Sequence, residues 1–388
     1  MLNILYMHRT QAHGVEGVHI REIVKAWRRL GNAVVVVSPV KESPQDSSGD
    51  GGGAPRAGMM RRLMSAMSRR LPEILFECLE VAYNVVAYRQ AATVRDTDFI
   101  FERYAIFAFA GSLLAARRRI PHIIEVNYTS RSELVRKRSA LLAPLAFRID
   151  KFIFSRATAL AAVSSRLKEH LISEFGIPAE RVIVLPNAAD PEVFDPDKVT
   201  PASGLKDTGK WIGFVGGFYP WHGVGLLVDA FCRIADAVPD ARLLLVGDGP
   251  MRAAIERQCA TLNIANRVLM TGAVSHDRLP AYIRAFHVGV MPDSNDYGSP
   301  MKVFEYMALG TPVVAPAYGP LLDVMQDGRE GRIFPPRDVA ALADCLLEVL
   351  TRDDVHAQMS ENARLAVVTR HNWMENARRL LAQLPGKS

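Results

Sequence analysis

Three things are scarce in this sequence. Its 388 residues hold four cysteines, Cys78, Cys232, Cys259 and Cys345, widely spaced and without a CxxC pair. That spacing argues against a zinc site or a disulfide framework and fits a reducing cytosol. No run of about 18 uncharged apolar residues exists, so no membrane-crossing helix is expected. The opening MLNILYMHRT is apolar for too short a stretch to be a secretory signal and reads as a first buried strand. Also missing is a full GxGxxG with a later acidic residue. GDGP (247–250) carries only part of that fingerprint, which argues against a dehydrogenase.

What is present is a globular composition, 49% hydrophobic and 23% charged, in a chain long enough for two domains. Charge is unevenly spread. Residues 1–190 carry 27 Lys and Arg against 18 Asp and Glu, a net of +9; residues 191–388 carry 20 against 23, a net of −3. A basic half draws phosphates, nucleic acid or an anionic membrane, or is simply an arginine-rich solvated surface.

Short β-branched runs alternate with helical patterns throughout, the mark of βα units and parallel sheets. Strands are expected at 2–7, 33–38, 99–103, 122–126, 159–163 and 182–185, then at 211–216, 241–247, 267–272, 288–292, 311–316 and 331–335. LPNAADPEVFDP (185–196) reads as the linker between the halves. The expected domains are 1–190 and 195–370, with a C-terminal helix at 371–388 that can return to the first domain. Residues 41–58, rich in Gly, Ser and Pro, read as a disordered insertion. In 59–70, Met60, Leu63, Met64 and Met67 recur at helical spacing among Arg61, Arg62, Arg69 and Arg70. That pattern suits a membrane-surface helix, an acceptor-site lid or a helix packed on its own domain. DTD (96–98) immediately precedes a strand, and no metal is expected there.

The most informative stretch is GSPMKVFEYMALGTPVVA (298–315). Ser299 reads as a helix N-cap, Pro300 as the first helical residue and Gly310 as the residue that closes the helix. In a parallel sheet such a helix start lies where ligands bind, and its free N–H groups suit a phosphate. Lys302 adds positive charge there. Glu305, three residues on and on the same face, offers a carboxylate to two hydroxyls, as of a ribose. A cation at a helix start is unfavourable unless an anion meets it, which marks a site. The plainer alternative is an exposed i,i+3 ion pair.

That stretch, together with FVGGFYPWHGVGLLVDAF (214–231), LLLVGDGP (243–250), VLMTGAVSHDRLPAYI (268–283), DGREGRIFPPRDVAALADCL (327–346) and the N-terminal GVEGVHIREIVKAWRRLGNAVVVVSP (14–39), resembles the retaining family 4 glycosyltransferases of the GT-B fold. The resemblance implies an α/β protein of two Rossmann-like doubly wound domains facing a central cleft. It implies a nucleotide-sugar donor on the second domain and a saccharide or lipid-linked saccharide acceptor at the first. No cofactor, metal or nucleic acid is implied. By position, Glu305 would hold the ribose, and Lys302 with the amides of Ser299 and Met301 would meet the diphosphate. Gly216 and Gly217 would let backbone approach the phosphates, Val274 would flank the base, and Gly14 would face the donor.

The chain departs from the family pattern at three places. Tyr297 stands where a first glutamate is usual, with Asp296 beside it. Gly217 and His222 stand where Arg and Lys are usual, leaving His222 as a weaker donor to phosphate. Asn127 stands where a histidine is common, with Glu125 on the same strand face. The catalytic candidates are therefore Lys302, Glu125 and Asn127. The expected function is retaining sugar transfer in surface polysaccharide synthesis by a cytoplasmic protein, with the inner, anionic face of the membrane as the other expected location. A nucleotide-sugar epimerase or phosphorylase on the same fold, or a saccharide-binding pseudoenzyme, is the alternative.

Overall fold

The structure is a computed structural model that describes residues 1–10, 14–40, 73–132, 142–205 and 209–386. The insertion at 41–58 and the Met- and Arg-rich stretch at 59–70 lie outside the described residues. The chain forms two compact units. One comprises Met1–Ala162, Leu167–Val184 and Ala377–Ser388; the other comprises Val163–Arg166 and Leu185–Asn376.

Each unit is built on a six-stranded parallel sheet. The first contains β1 (Asn3–Met7), β2 (Ala33–Val37), β3 (Phe99–Arg103), β4 (His122–Val126), β5 (Ala159–Ala162) and β6 (Val182–Val184), in the order β2-β1-β3-β4-β5-β6. The second contains β7 (Lys210–Val215), β8 (Ala241–Val246), β9 (Val268–Gly272), β10 (Phe286–Val290), β11 (Val313–Pro316) and β12 (Gly331–Phe334), in the order β12-β11-β10-β7-β8-β9. All twelve strands occur where apolar runs place them. Strands covered on both faces by helices need continuous rather than alternating hydrophobicity. HIIEV in β4 shows this, since all five residues are buried.

The second sheet separates two apolar layers with a period of two. Ile212, Phe214, Leu243 and Leu245 face the helices Val224–Ile234 and Val339–Thr351. Trp211, Val215, Leu244 and Val246 face the helix Met301–Ala308 and the helix Asp353–Thr369. The chain reverses direction across this sheet between β7 and β10, the switch point where a doubly wound sheet leaves a crevice beyond its strand ends. In the first sheet the corresponding point lies between β1 and β3. There, Tyr6, Trp27 and Phe101 form an edge-to-face cluster, with ring centroids 5.1 Å apart for Tyr6–Phe101 and 4.9 Å for Trp27–Phe101.

DTD has a structural task. Asn3 N donates to Asp98 Oδ2 at 2.6 Å and Asp98 N donates to Asn3 O at 2.9 Å, which ties the start of β1 to the chain entering β3.

The second unit holds one pH-sensitive contact away from the switch point. The His287 and His356 rings stack at 3.9 Å and 19°, and His356 Nε2 donates to His287 O at 2.9 Å. Burial, then the neighbouring His356 and Lys210, pulls His287 down to about 4. The folded protein therefore resists a proton that the unfolded chain accepts at its ordinary value near 6.5. Stability should be unaffected by this group above pH 6.5 and should fall as pH drops from 6.5 toward 4. Urea midpoints measured between pH 7.5 and 4.5 should decline less steeply in His287→Phe than in the wild type. Equal slopes would remove His287 as a source of acid sensitivity.

Candidate active site

The helix Met301–Ala308 follows β10 at the switch point. It begins one residue later than its sequence suggests. Pro300, extended at φ −75° and ψ 117°, is the N-cap residue, and no side chain caps the helix. Ser299 is not the cap. Its Oγ accepts from Asn187 N at 2.9 Å and its carbonyl from Asn187 Nδ2 at 2.6 Å, which fastens it to the linker. Because Pro300 is itself extended, the first helical residue is Met301. The far end matches expectation: Gly310 takes φ +68° and donates to Met307 O at 3.0 Å. Val303 N donates to Pro300 O at 3.3 Å, and no side chain caps the first-turn N–H groups that precede it.

Lys302 and Glu305 do not form an ion pair. Glu305 is buried, and its Oε1 lies 2.9 Å from His276 Nε2. Lys302 turns the other way. Its stem is partly exposed, but Nζ is buried without a hydrogen-bond partner, 4.3 Å above the Phe214 ring. A β-carbon on Gly216 would lie 2.7 Å from that Nζ, and Gly216 itself adopts φ +140°, which favours glycine. Burial pulls the ammonium down to about 7, against the opposite pull of Glu305.

The residues around Lys302 are held firmly. Tyr306 Oη accepts from Val215 N at 2.7 Å, fixing the helix to the end of β7. Asp293, buried just beyond β10, accepts from Tyr318 Oη at 2.9 Å and from Arg337 Nε at 3.1 Å. Met301 is buried at the helix start, and Val274, half-buried beyond β9, packs on the apolar layer beneath the helix. Asp296 is exposed beside a turn in which Asn295 Oδ1 accepts from Tyr297 N and Gly298 N.

His222 feels the Lys302 charge. Its Nδ1 donates to Gly217 O, and burial, followed by the Lys302 charge, holds the ring below its ordinary value. A neutral ring whose Nδ1 proton is already engaged presents a lone pair at Nε2. In that state Nε2 can accept a hydrogen bond.

In the first unit, Glu125 is clamped. Arg103 Nη1 donates to both of its oxygens, at 3.0 and 3.1 Å, and His19 Nε2 lies 2.9 Å from Oε1. Burial pushes the carboxyl up, but Arg103 and His19 outweigh it and hold it near 2. A carboxylate so paired stays charged near neutral pH. Asn127 Nδ2, near the same carboxylate, is buried without a hydrogen-bond partner. Gly14, exposed at φ +55°, opens the helix Gly14–Arg29, and a β-carbon there would meet nothing within 4 Å.

The sequence had not singled out His276, Phe214, Asp293, Tyr318 or Arg337, each of which reaches its partner only through the fold.

Two family models match in succession: "Glycosyltransferase Family 4" over residues 14–193 and "Glycosyl transferases group 1" over 209–352. The chain belongs to the family 4 glycosyltransferases. It is 31% identical over 251 residues to the 2-deoxystreptamine glucosyltransferase of Streptomyces kanamyceticus, covering 62% of this chain and 64% of that one. That match spans less than two thirds of the relative's own length. The chain is 28% identical over 300 residues to a D-inositol 3-phosphate glycosyltransferase of Stackebrandtia nassauensis, covering 73% and 67%. Among solved structures it is similar to Anabaena HepE in complex with UDP, with a TM-score of 0.71, 18% identity and 98% of each chain covered. The two parallel sheets are thus those of the GT-B fold.

An unpaired ammonium inside a fold is costly unless a ligand compensates it. Lys302→Met should therefore raise the melting temperature of the ligand-free protein. The sign follows from the lowered value. Below about pH 7 the folded state bears the full cost of the charge, and the cost fades as pH rises toward the unfolded value of 10.5. The stabilisation by Lys302→Met should accordingly shrink between pH 7 and pH 10. A variant that melts lower than wild type at pH 7 would contradict the reading of Lys302 as unpaired.

Proposed function

We propose that this chain transfers a sugar, with retention, from a nucleotide-sugar to a saccharide or lipid-linked saccharide, in the assembly of a surface polysaccharide. The observation that carries the proposal is the buried Lys302 ammonium without a partner, set over Gly216 beside an uncapped helix start. Lys302 and the amides from Met301 onward meet the diphosphate. Gly216 and Gly217 let it lie close to backbone. Glu305, oriented by His276, keeps Oε2 for the ribose hydroxyls, and Val274 flanks the base. The family's relatives named as glycosyltransferases, and the UDP complex of HepE, support a nucleotide-sugar donor.

The chemistry follows from the charge. A nucleoside diphosphate departs once its developing negative charge is neutralised, and fixed donors supply this without reorganising. Lys302 suits the task, since the incoming anion restores the proton that burial disfavours. Glu125, Arg103 and His19 order the first unit's strand ends and so act as positioning residues.

Nucleotide-sugars with different bases, tested as a thermal-shift panel, should include one that stabilises the protein, by about 2.7 kcal/mol at 100 times its Kd. Glu305→Ala should weaken that donor by about 1–3 kcal/mol. Lys302→Ala should lower kcat more than it raises KM. Donor affinity unchanged in Glu305→Ala would refute the ribose assignment, and an unchanged kcat in Lys302→Ala would reduce Lys302 to simple binding.

For a lipid-linked acceptor, two features support docking of the first unit on an anionic membrane: its half of the chain carries a net +9, and the helix Glu73–Thr93 exposes Leu79, Val85 and Val86. No helix among the described residues is long and apolar enough to cross a membrane. The protein should sediment with phosphatidylglycerol vesicles at low salt and be released at high salt. Failure to bind at low salt would leave a water-soluble acceptor.

A further inference from the structure

The loop after β7 carries an aromatic pair that the donor site does not use. Tyr219 and Trp221 stack in parallel, 4.7 Å apart and 6° from coplanar, yet Tyr219 is 42% and Trp221 59% exposed. The other tryptophans, Trp27, Trp211 and Trp373, are buried. The loop is braced to hold this arrangement. A β-carbon at Gly217 would come 2.5 Å from the Tyr219 ring, so the bare glycine is the floor on which that ring rests. Pro220 opens a single tight turn, Pro220–His222, which Gly223 closes at φ +66° with its Cα against Asp293. Tyr219 N donates to Gly217 O, and His222 N to Tyr219 O, at 2.9 and 3.0 Å.

We propose that Trp221, backed by Tyr219 and flanked by His222, is a platform for a sugar ring of the acceptor. The proposal rests on the donor assignment above, because the platform continues directly from the glycines assigned to the diphosphate. Holding a large aromatic face in water forgoes burial that a mobile loop could recover, and a ligand restores it. One face of Trp221 is already covered by Tyr219, so a ligand has a single face to lie on and meets solvent on its other side. A pyranose fits that geometry. Its C–H face carries slight positive charge and seeks the electron-rich face of an indole, while its hydroxyls remain in water or find an acceptor. His222 provides one. Its ring lies edge-on to Trp221, 6.2 Å between centroids, with Nδ1 engaged by Gly217 O and a lone pair left at Nε2.

Trp221 is the one exposed tryptophan of four, so iodide quenching of intrinsic fluorescence reads it directly. Trp221→Phe should abolish the quenchable fraction, which assigns the signal. Neutral methyl glycosides and linear gluco-, galacto- and manno-oligosaccharides at millimolar concentration should include members that lower the quenching constant at least twofold. Tyr219→Ala should weaken that protection while leaving the nucleotide-induced thermal shift unchanged. Protection by no saccharide would overturn the proposal. Protection by UDP or GDP alone would make the stack a nucleobase site, and protection by phosphatidylglycerol vesicles alone would make it a membrane contact; either also overturns it. A protein that no nucleotide stabilises, but whose Trp221 a saccharide shields, would refute the donor reading and leave the platform standing.

Discussion

The Lys302 ammonium, buried on the face of Phe214 with no hydrogen-bond partner, is the feature around which the second unit is arranged. A lone buried cation is unstable unless its surroundings are held in place. Several contacts supply that rigidity. Tyr306 ties the helix to Val215, the chain passes Gly216 without a side chain, and His276 draws Glu305 away from the lysine. If Glu305 met Lys302 instead, the pair would be satisfied and neither group would have capacity left for a ligand. The π face of Phe214 gives the cation partial compensation, less than an anion would. The unit therefore carries an incomplete interaction at the point where its sheet reverses direction.

The first unit solves the same physical problem in the opposite way. At its strand ends, Glu125 is fully engaged by Arg103 and His19. Asp150, pushed up to about 6 by burial, accepts from Tyr104 Oη and Ser130 N at 2.8 and 2.9 Å. Charges satisfied in this manner confer order on loops rather than reactivity. The contrast between paired carboxylates in one unit and an unpaired ammonium in the other separates positioning from binding more clearly than residue type does.

The strands were legible because parallel sheets buried on both faces need continuous apolar runs, and those runs are local in sequence. Lys302 stood out for a related reason: a cation in the first turn of a helix contradicts the dipole, and that conflict is visible within four residues. What could not be read depends on distance along the chain. His276 is 29 residues from Glu305, and Arg337 is 44 from Asp293. Asn187 reaches Ser299 across 112 residues, and with Pro300 moves the helix start along by one. The strand of Glu125 gives no hint of its partners Arg103 and His19. The bond from His222 to Gly217 O depends on a turn that sequence spacing does not specify.

The choice of lysine at position 302, rather than arginine, follows from the same geometry. Nζ already lies closer to Gly216 than a β-carbon there would tolerate, and a planar guanidinium would need still more room beside Phe214 and the glycine backbone. A guanidinium would also stay charged in the empty protein, whereas an ammonium can shed its proton when burial is unfavourable and regain it when an anion arrives. With its value lowered to about 7, Lys302 bears nearly the full cost of its charge in the empty protein at neutral pH, a cost that a bound anion would remove. Gly216 is the necessary counterpart. Its φ of +140° disfavours any side chain, and a β-carbon there would also push Nζ from its place over Phe214.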